Sequence, residues 1–330
     1  MAQIVLGIAV PHSGMLGRAP EGWPEDGDRD RRKGQERSLW FRNKTYTFTE
    51  LAAHRAHENL AAQMTLEERQ KRHARTNAAL DELRRVYQEH KPDVAIILGK
   101  DQKEMFIDVS PSLAIFMGDR IENGPPQRAV YAPDHPVTYP GHPELALHLI
   151  NAFQRDGFDM TEILSWPGNT WQQNKPIVPH AYSFVFHQIM QDVAPPTVPV
   201  FLNCFYPPNQ PSMARALNFG KTLFEAIKAW DADKKVAIIA SGGLSHFVCD
   251  EQLDAMFLKY FAANDFDGLT AVDDRSYQSG TSEVKLYVPI LWAMSQLGCK
   301  MRLIDYVPCY RTEAGTGEGF AFMCWTPQRA

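Results

Sequence analysis

Short apolar runs alternate along this chain with longer stretches in which apolar residues recur at helical spacing. Gln3–Val10, Asp93–Gly99, Ser112–Met117, Val198–Cys204 and Val236–Ala240 are rich in apolar residues, the pattern of strands covered on both faces. Between them the spacing predicts helices over 49–62, 65–90, 143–155, 212–230, 250–264 and 283–297. Thr65 and Glu68 form a capping box for the second of these, Pro92 follows its end, and Pro143 suits the first turn of the third. Lys300–Val307 and Gly319–Trp325 read as late strands. The alternation predicts an α/β fold: a central mixed β-sheet flanked by helices, in one domain spanning 1–330 with long insertions. Residues 18–47, rich in charge, Gly and Pro, read as an excursion from the core, and 18–90 are expected to form a helical insertion acting as a lid. The prolines of 119–142 and of Phe205–Pro211 remove backbone donors and predict irregular loops.

Composition narrows the function. An apolar content of 44% and a charged content of 22% are globular values. A net charge of -5 gives no basic footprint and argues against a nucleic-acid partner. No apolar stretch reaches the ~18 residues of a membrane span, and the apolar opening reads as a strand, not a signal segment. The five cysteines are scattered without a CxxC pair, which predicts reduced thiols, a cytoplasmic protein and no cysteine-bound zinc. A homodimer or higher homo-oligomer is the expected assembly.

The candidate chemistry lies at element ends, where open α/β sheets bind ligands. His12 follows the first strand in Pro11-His12-Ser13-Gly14. His246 closes the turn Ser241-Gly242-Gly243-Leu244-Ser245-His246, whose paired glycines allow a sharp bend and close backbone approach. Glu283 follows Ser279-Gly280-Thr281-Ser282 at the start of an apolar helix, where a carboxylate also offsets the helix dipole. Two histidines and a carboxylate are the parts of a non-haem iron site. His180 and His187 flank an apolar segment, and one of them reads as a satisfied buried histidine; His54, His57, His73 and His90 read as surface residues on polar helical faces. The Gly315–Gly319 segment lacks the Lys-Ser/Thr of a phosphate loop, and no G-x-S-x-G elbow points to a serine hydrolase.

Taken together, His12, Ser241–His246 and Gly280-Thr281-Ser282-Glu283 resemble the class III extradiol ring-cleavage dioxygenases, the superfamily of protocatechuate 4,5-dioxygenase catalytic subunits. Asn203–Pro211 and Tyr310–Gly317 resemble the gallate and 3-O-methylgallate branch. The resemblance implies Fe(II) held by His12 and Glu283, with His246 as the acid/base group and His180 contacting substrate. The second ligand histidine of the family stands in Asn-Asp-His; this chain has Lys100-Asp101-Gln102, so Gln102 takes the ligand position and Asp101 is the alternative oxygen donor. The implied substrates are O2 and a catechol-type aromatic acid, with Tyr310 and Arg311 as candidates for binding a ring carboxylate. Gln102, a poorer donor than imidazole, leaves a second expectation: a metal-poor member of the fold doing hydrolase or lyase chemistry on a related aromatic or ring-opened acid.

Overall fold

The apolar runs assemble into a nine-stranded sheet among the described residues, which in this computed structural model are 1–36, 39–125, 127–166, 168–169, 175–176 and 178–327. The strands are β1 Gln3–Val10, β2 Val94–Gly99, β3 Leu113–Phe116, β4 Thr161–Ile163, β5 Thr197–Leu202, β6 Lys235–Ser241, β7 His246–Val248, β8 Arg302–Tyr310 and β9 Thr316–Trp325. Their order is β7-β9-β1-β6-β2-β5-β3-β4, with β8 also paired to β9. The central four, β1, β6, β2 and β5, run parallel. β9 joins β1 antiparallel and β3 joins β5 antiparallel, so the sheet is mixed, as the alternation predicted.

Each central strand feeds two cores, because successive side chains leave opposite faces. Val94, Ile96 and Leu98 of β2 pack with Val236, Ile238 and Ala240 of β6 under helices Pro143–Arg155, Met213–Ala229 and Tyr287–Gln296. Ala95, Ile97, Ala237 and Ile239 face the other way, toward Leu80, Leu83 and Val86 of helix Leu66–His90. That helix starts at Thr65, whose side chain accepts the Glu68 N–H, and ends at Lys91 in the left-handed region, before Pro92. It is a covering layer of the sheet as well as part of the expected insertion.

Some local expectations change. The charged excursion contains helix Trp23–Glu36, anchored by buried Trp23, and a hairpin of Leu39–Phe41 with Lys44–Tyr46. Thr47, not Thr49, caps the next helix through a capping box with Glu50, and that helix ends at His54. A second hairpin, Arg120–Asn123 with Val137–Pro140, lies within the proline-rich 119–142 stretch. The helix predicted from 283 begins as a 3-10 segment, Ser279–Leu286, before turning α-helical at Tyr287. Glu283 therefore sits inside a tight helical stretch, not in the first turn of an α-helix. No helix among the described residues is long and apolar enough to cross a membrane.

Candidate active site

Parallel β1, β6 and β2 are neighbours, so their carboxyl ends deliver three segments to one place. β1 delivers His12, β6 delivers Ser241 and the turn to His246, and β2 delivers Lys100. Segment Ser279–Leu286 brings Glu283 against all three.

Glu283 is fully buried and forms the centre. Its Oε2 accepts the Gly243 N–H at 2.8 Å and lies 3.7 Å from His12 Nε2. Its Oε1 lies 3.2 Å from His246 Nε2 and 2.8 Å from Lys100 Nζ. Burial works against the charged carboxylate, but Lys100 and His246 outweigh it and hold the carboxyl well below its ordinary range.

The two histidines are held differently. His12 Nδ1 hydrogen-bonds Ser241 Oγ at 3.0 Å, leaving Nε2 toward Glu283. Burial, aided by Lys100, His180 and His246, drives the His12 pKa well down and overrides the attraction of Glu283, so His12 rests neutral. For His246, burial also opposes the charged form, but Glu283 and Glu318 prevail and raise its pKa. Geometry agrees: Nδ1 lies 2.8 Å from the Leu244 carbonyl, which only accepts, while Nε2 faces a carboxylate. Both ring nitrogens therefore have partners suited to N–H donors. Two glycines here have no room for a side chain, one against this ring and one against Glu318. A Cβ at Gly280 would stand 1.9 Å from His246 Cδ2, and one at Gly243 would stand 2.2 Å from Glu318 Oε1.

His180 joins the cluster, its ring centroid 4.6 Å from that of His12. Glu104 orients it, accepting from His180 N–H at 3.1 Å and pairing with Nδ1 at 2.7 Å, so Nε2 is the nitrogen left for a ligand. Glu104 itself is kept below its usual pKa by His180 and Lys100, against the effect of burial. His187 instead pairs with Asp192 at 2.8 Å, away from this group.

Of the two oxygen donors expected from the sequence, Asp101 is committed elsewhere. Asp101 accepts four backbone N–H groups, from Lys103, Glu104, Met105 and Phe106, at 2.8–3.1 Å, and so is spent on shaping its own loop. Gln102 is half-buried on the same bend, and no hydrogen bond ties its side chain to His12 or Glu283. What meets Glu283 from this loop is the Lys100 ammonium, only 1% exposed. Among the described residues no group of three His, Cys, Asp or Glu side chains is arranged to hold a metal ion. With the Lys100 ammonium 2.8 Å from Oε1, Glu283 already has a cationic partner, so His12, Glu283 and Gln102 do not fit a three-ligand Fe(II) centre while that contact is kept.

The two carboxylate-binding candidates separate. Tyr310 is buried, its hydroxyl donating to Glu251 and its ring lying under Arg72, so it does not reach the site. Arg311 lines a cavity of about 400 Å³ with Arg18, Arg29, Arg128 and Ser13, the residue next to His12 in the chain. Lys285 points elsewhere, donating to the Pro211 carbonyl at 2.9 Å.

Lys100 and Glu104 are the members that sequence reasoning passed over. Their signal was the strand-end position itself: a lysine directly after an all-apolar strand is buried if the loop folds over it. A family model described as the catalytic LigB subunit of aromatic ring-opening dioxygenase matches residues 52–312, well over half the chain. No curated protein matches it.

Proposed function

The chain belongs to the LigB family, the catalytic subunits of extradiol aromatic ring-opening dioxygenases, and from that premise we propose that its substrate is a catechol-type aromatic acid of the gallate, 3-O-methylgallate or protocatechuate class, opened with O2. The observation that carries the proposal is the convergence of His12, His180, His246 and Glu283 in one buried cluster at the sheet's carboxyl end. The acid class is supported by the arginine-lined cavity beside His12.

In this reading His246 is the proton-transfer group. Its Nε2 faces the site and its Nδ1 is fixed by the Leu244 carbonyl, so the ring moves a proton at one defined atom. His180, oriented by Glu104, hydrogen-bonds an oxygen of the bound acid through Nε2. His12, neutral and tied to Ser241, supplies a second polar wall. Arg311 and Arg128 meet the ring carboxylate. While Lys100 keeps its contact with Glu283, the donor set does not fit the Fe(II) that the family resemblance implies.

The test is O2 uptake by the full chain with gallate, 3-O-methylgallate and protocatechuate, after chelation and again after anaerobic Fe(II) addition. Substrate-dependent uptake, reduced about 10²–10⁴-fold in His246→Ala, is the expected outcome. The Lys100–Glu283 contact favours a second reading, metal-independent hydrolase or lyase chemistry on a related aromatic or ring-opened acid. Acid consumed without O2 uptake would select it. Neither uptake nor consumption with any of these acids would overturn both.

A further inference from the structure

Lys100 Nζ is buried, and although it lies 2.8 Å from Glu283 Oε1, the contact lacks hydrogen-bond alignment. Nζ has no aligned hydrogen-bond partner. A buried ammonium carries three N–H donors, and buried polar groups rarely go unpaired. The electrostatic demand of Glu283 is met, but the directional demand of Lys100 is not. Surrounding groups narrow what can answer it. His12, His246 and His180 edge the same space, and the Phe205 ring lies 5.6 Å from Nζ, offering an apolar flank to a planar ligand.

We infer that Lys100, not a metal ion, is the cation of this site, and that its ammonium binds an anionic oxygen of the aromatic acid. The position directly after β2 lets one flexible stem reach the carboxylate that a divalent ion would otherwise need. With the ammonium there, Glu283 is neutralised, and a second, divalent charge would have to displace a buried lysine from its counter-ion. The same ammonium presents unused donors to an incoming phenolate or carboxylate oxygen, and such charge-assisted bonds are the strong ones. The inference rests on the reading that an aromatic acid enters this site and does not depend on whether the ring then reacts with O2.

The experiment uses the chelator-treated full chain in two titrations. Calorimetry with protocatechuate, catechol and 3,4-dimethoxybenzoate measures acid binding. Visible absorption with Co(II) measures metal uptake independently. Wild type is expected to bind protocatechuate with no metal present and to take up no stoichiometric Co(II). Lys100→Met is expected to weaken protocatechuate binding by about tenfold or more. If that variant fails to fold, Lys100→Met with Glu283→Gln, which removes both charges, gives the same comparison. A parallel loss for catechol places a phenolic oxygen on Lys100; a parallel loss for 3,4-dimethoxybenzoate alone places the carboxylate there. One Co(II) per chain in wild type, lost in His12→Ala, would overturn the inference, as would unchanged acid binding without Lys100. Failure of wild type to bind any of the three ligands would remove the acid-binding half together with the proposed substrate class, while the Co(II) titration still decides whether Lys100 or a metal is the site's cation.

Discussion

Glu283 shows how much one side chain depends on its neighbours: burial favours its protonated form, and Lys100 and His246 reverse that. Gly280, against the His246 ring that faces Glu283, is a steric necessity. Gly280→Ala would drive a methyl into the His246 ring, and turnover of the acid should fall about 10²-fold, the lower end of what a positioned acid/base contributes. Steady-state kinetics, with circular dichroism to show an intact fold, checks this. A second residue-scale effect comes from Asp254, which holds the turn before His246 by accepting from Ser245 N–H and Oγ–H and from the Tyr306 hydroxyl. Burial nevertheless raises its pKa to about 7. The folded state then binds this proton more tightly than the unfolded chain, whose aspartate titrates near about 4. The stabilisation is complete below that value and is lost as pH rises toward about 7, at up to about 1.4 kcal/mol per pH unit. Urea unfolding across this window should show the slope in wild type and a flatter one in Asp254→Asn.

At the scale of elements, the excursion before helix Leu66–His90 is latched to the site's supporting loops. Arg42 pairs with Asp250, Arg31 with Glu313, and Asp30 accepts from Thr316. Arg55, 3% exposed, donates to the Cys249 carbonyl at 2.9 Å and pairs with Glu58. Arg55→Ala should cost about 2 kcal/mol, since it leaves a buried carbonyl without its charged donor. It should also speed proteolytic cleavage within 18–65, which limited proteolysis followed by mass spectrometry measures. Unchanged cleavage would show that the latches do not hold this segment. The part of the expected lid formed by 66–90 carries core residues, so removing it would unmake the sheet's cover. Capping and proline signals located Leu66–His90 and Pro143–Arg155 well, because they act within one turn. The hairpins at 39–46 and 120–140 escaped notice because their strands are only three or four residues long and partly exposed, too short for an alternation to stand out in the sequence.

For the whole molecule, charge is unevenly placed: the net value is -5, yet four arginines line the cavity beside His12. An acid entering there crosses an overall negative field to reach a local positive one. Arg18 and Arg29 are already paired with Asp26, and Arg311 with Asp30 at a longer 3.5 Å, which leaves exposed Arg128 as the most available cation of the four. The KM for protocatechuate should therefore rise with ionic strength while that for uncharged catechol stays flat, because salt screens exposed charges over about 10 Å at 0.1 M. Arg128→Ala should remove much of that salt dependence.

The sequence by itself determined the α/β class, the strands of the central sheet and the residues at their ends. These follow from local patterns: apolar runs covered on both faces, caps one turn long, and glycines where the chain must bend. It also carried the family motifs around His12, His246 and Glu283. Only the tertiary structure decided which of these side chains meet. Asp101 and Gln102 stand where a ligand was expected, but the loop after β2 turns Asp101 onto its own backbone and delivers Lys100 to Glu283. Tyr310 and Arg311 are adjacent in sequence yet part, one toward Glu251 and the other toward the cavity beside His12. Neighbouring side chains on an extended strand leave opposite faces, and a loop can invert that order. Long-range packing sets those directions, and no local pattern encodes it.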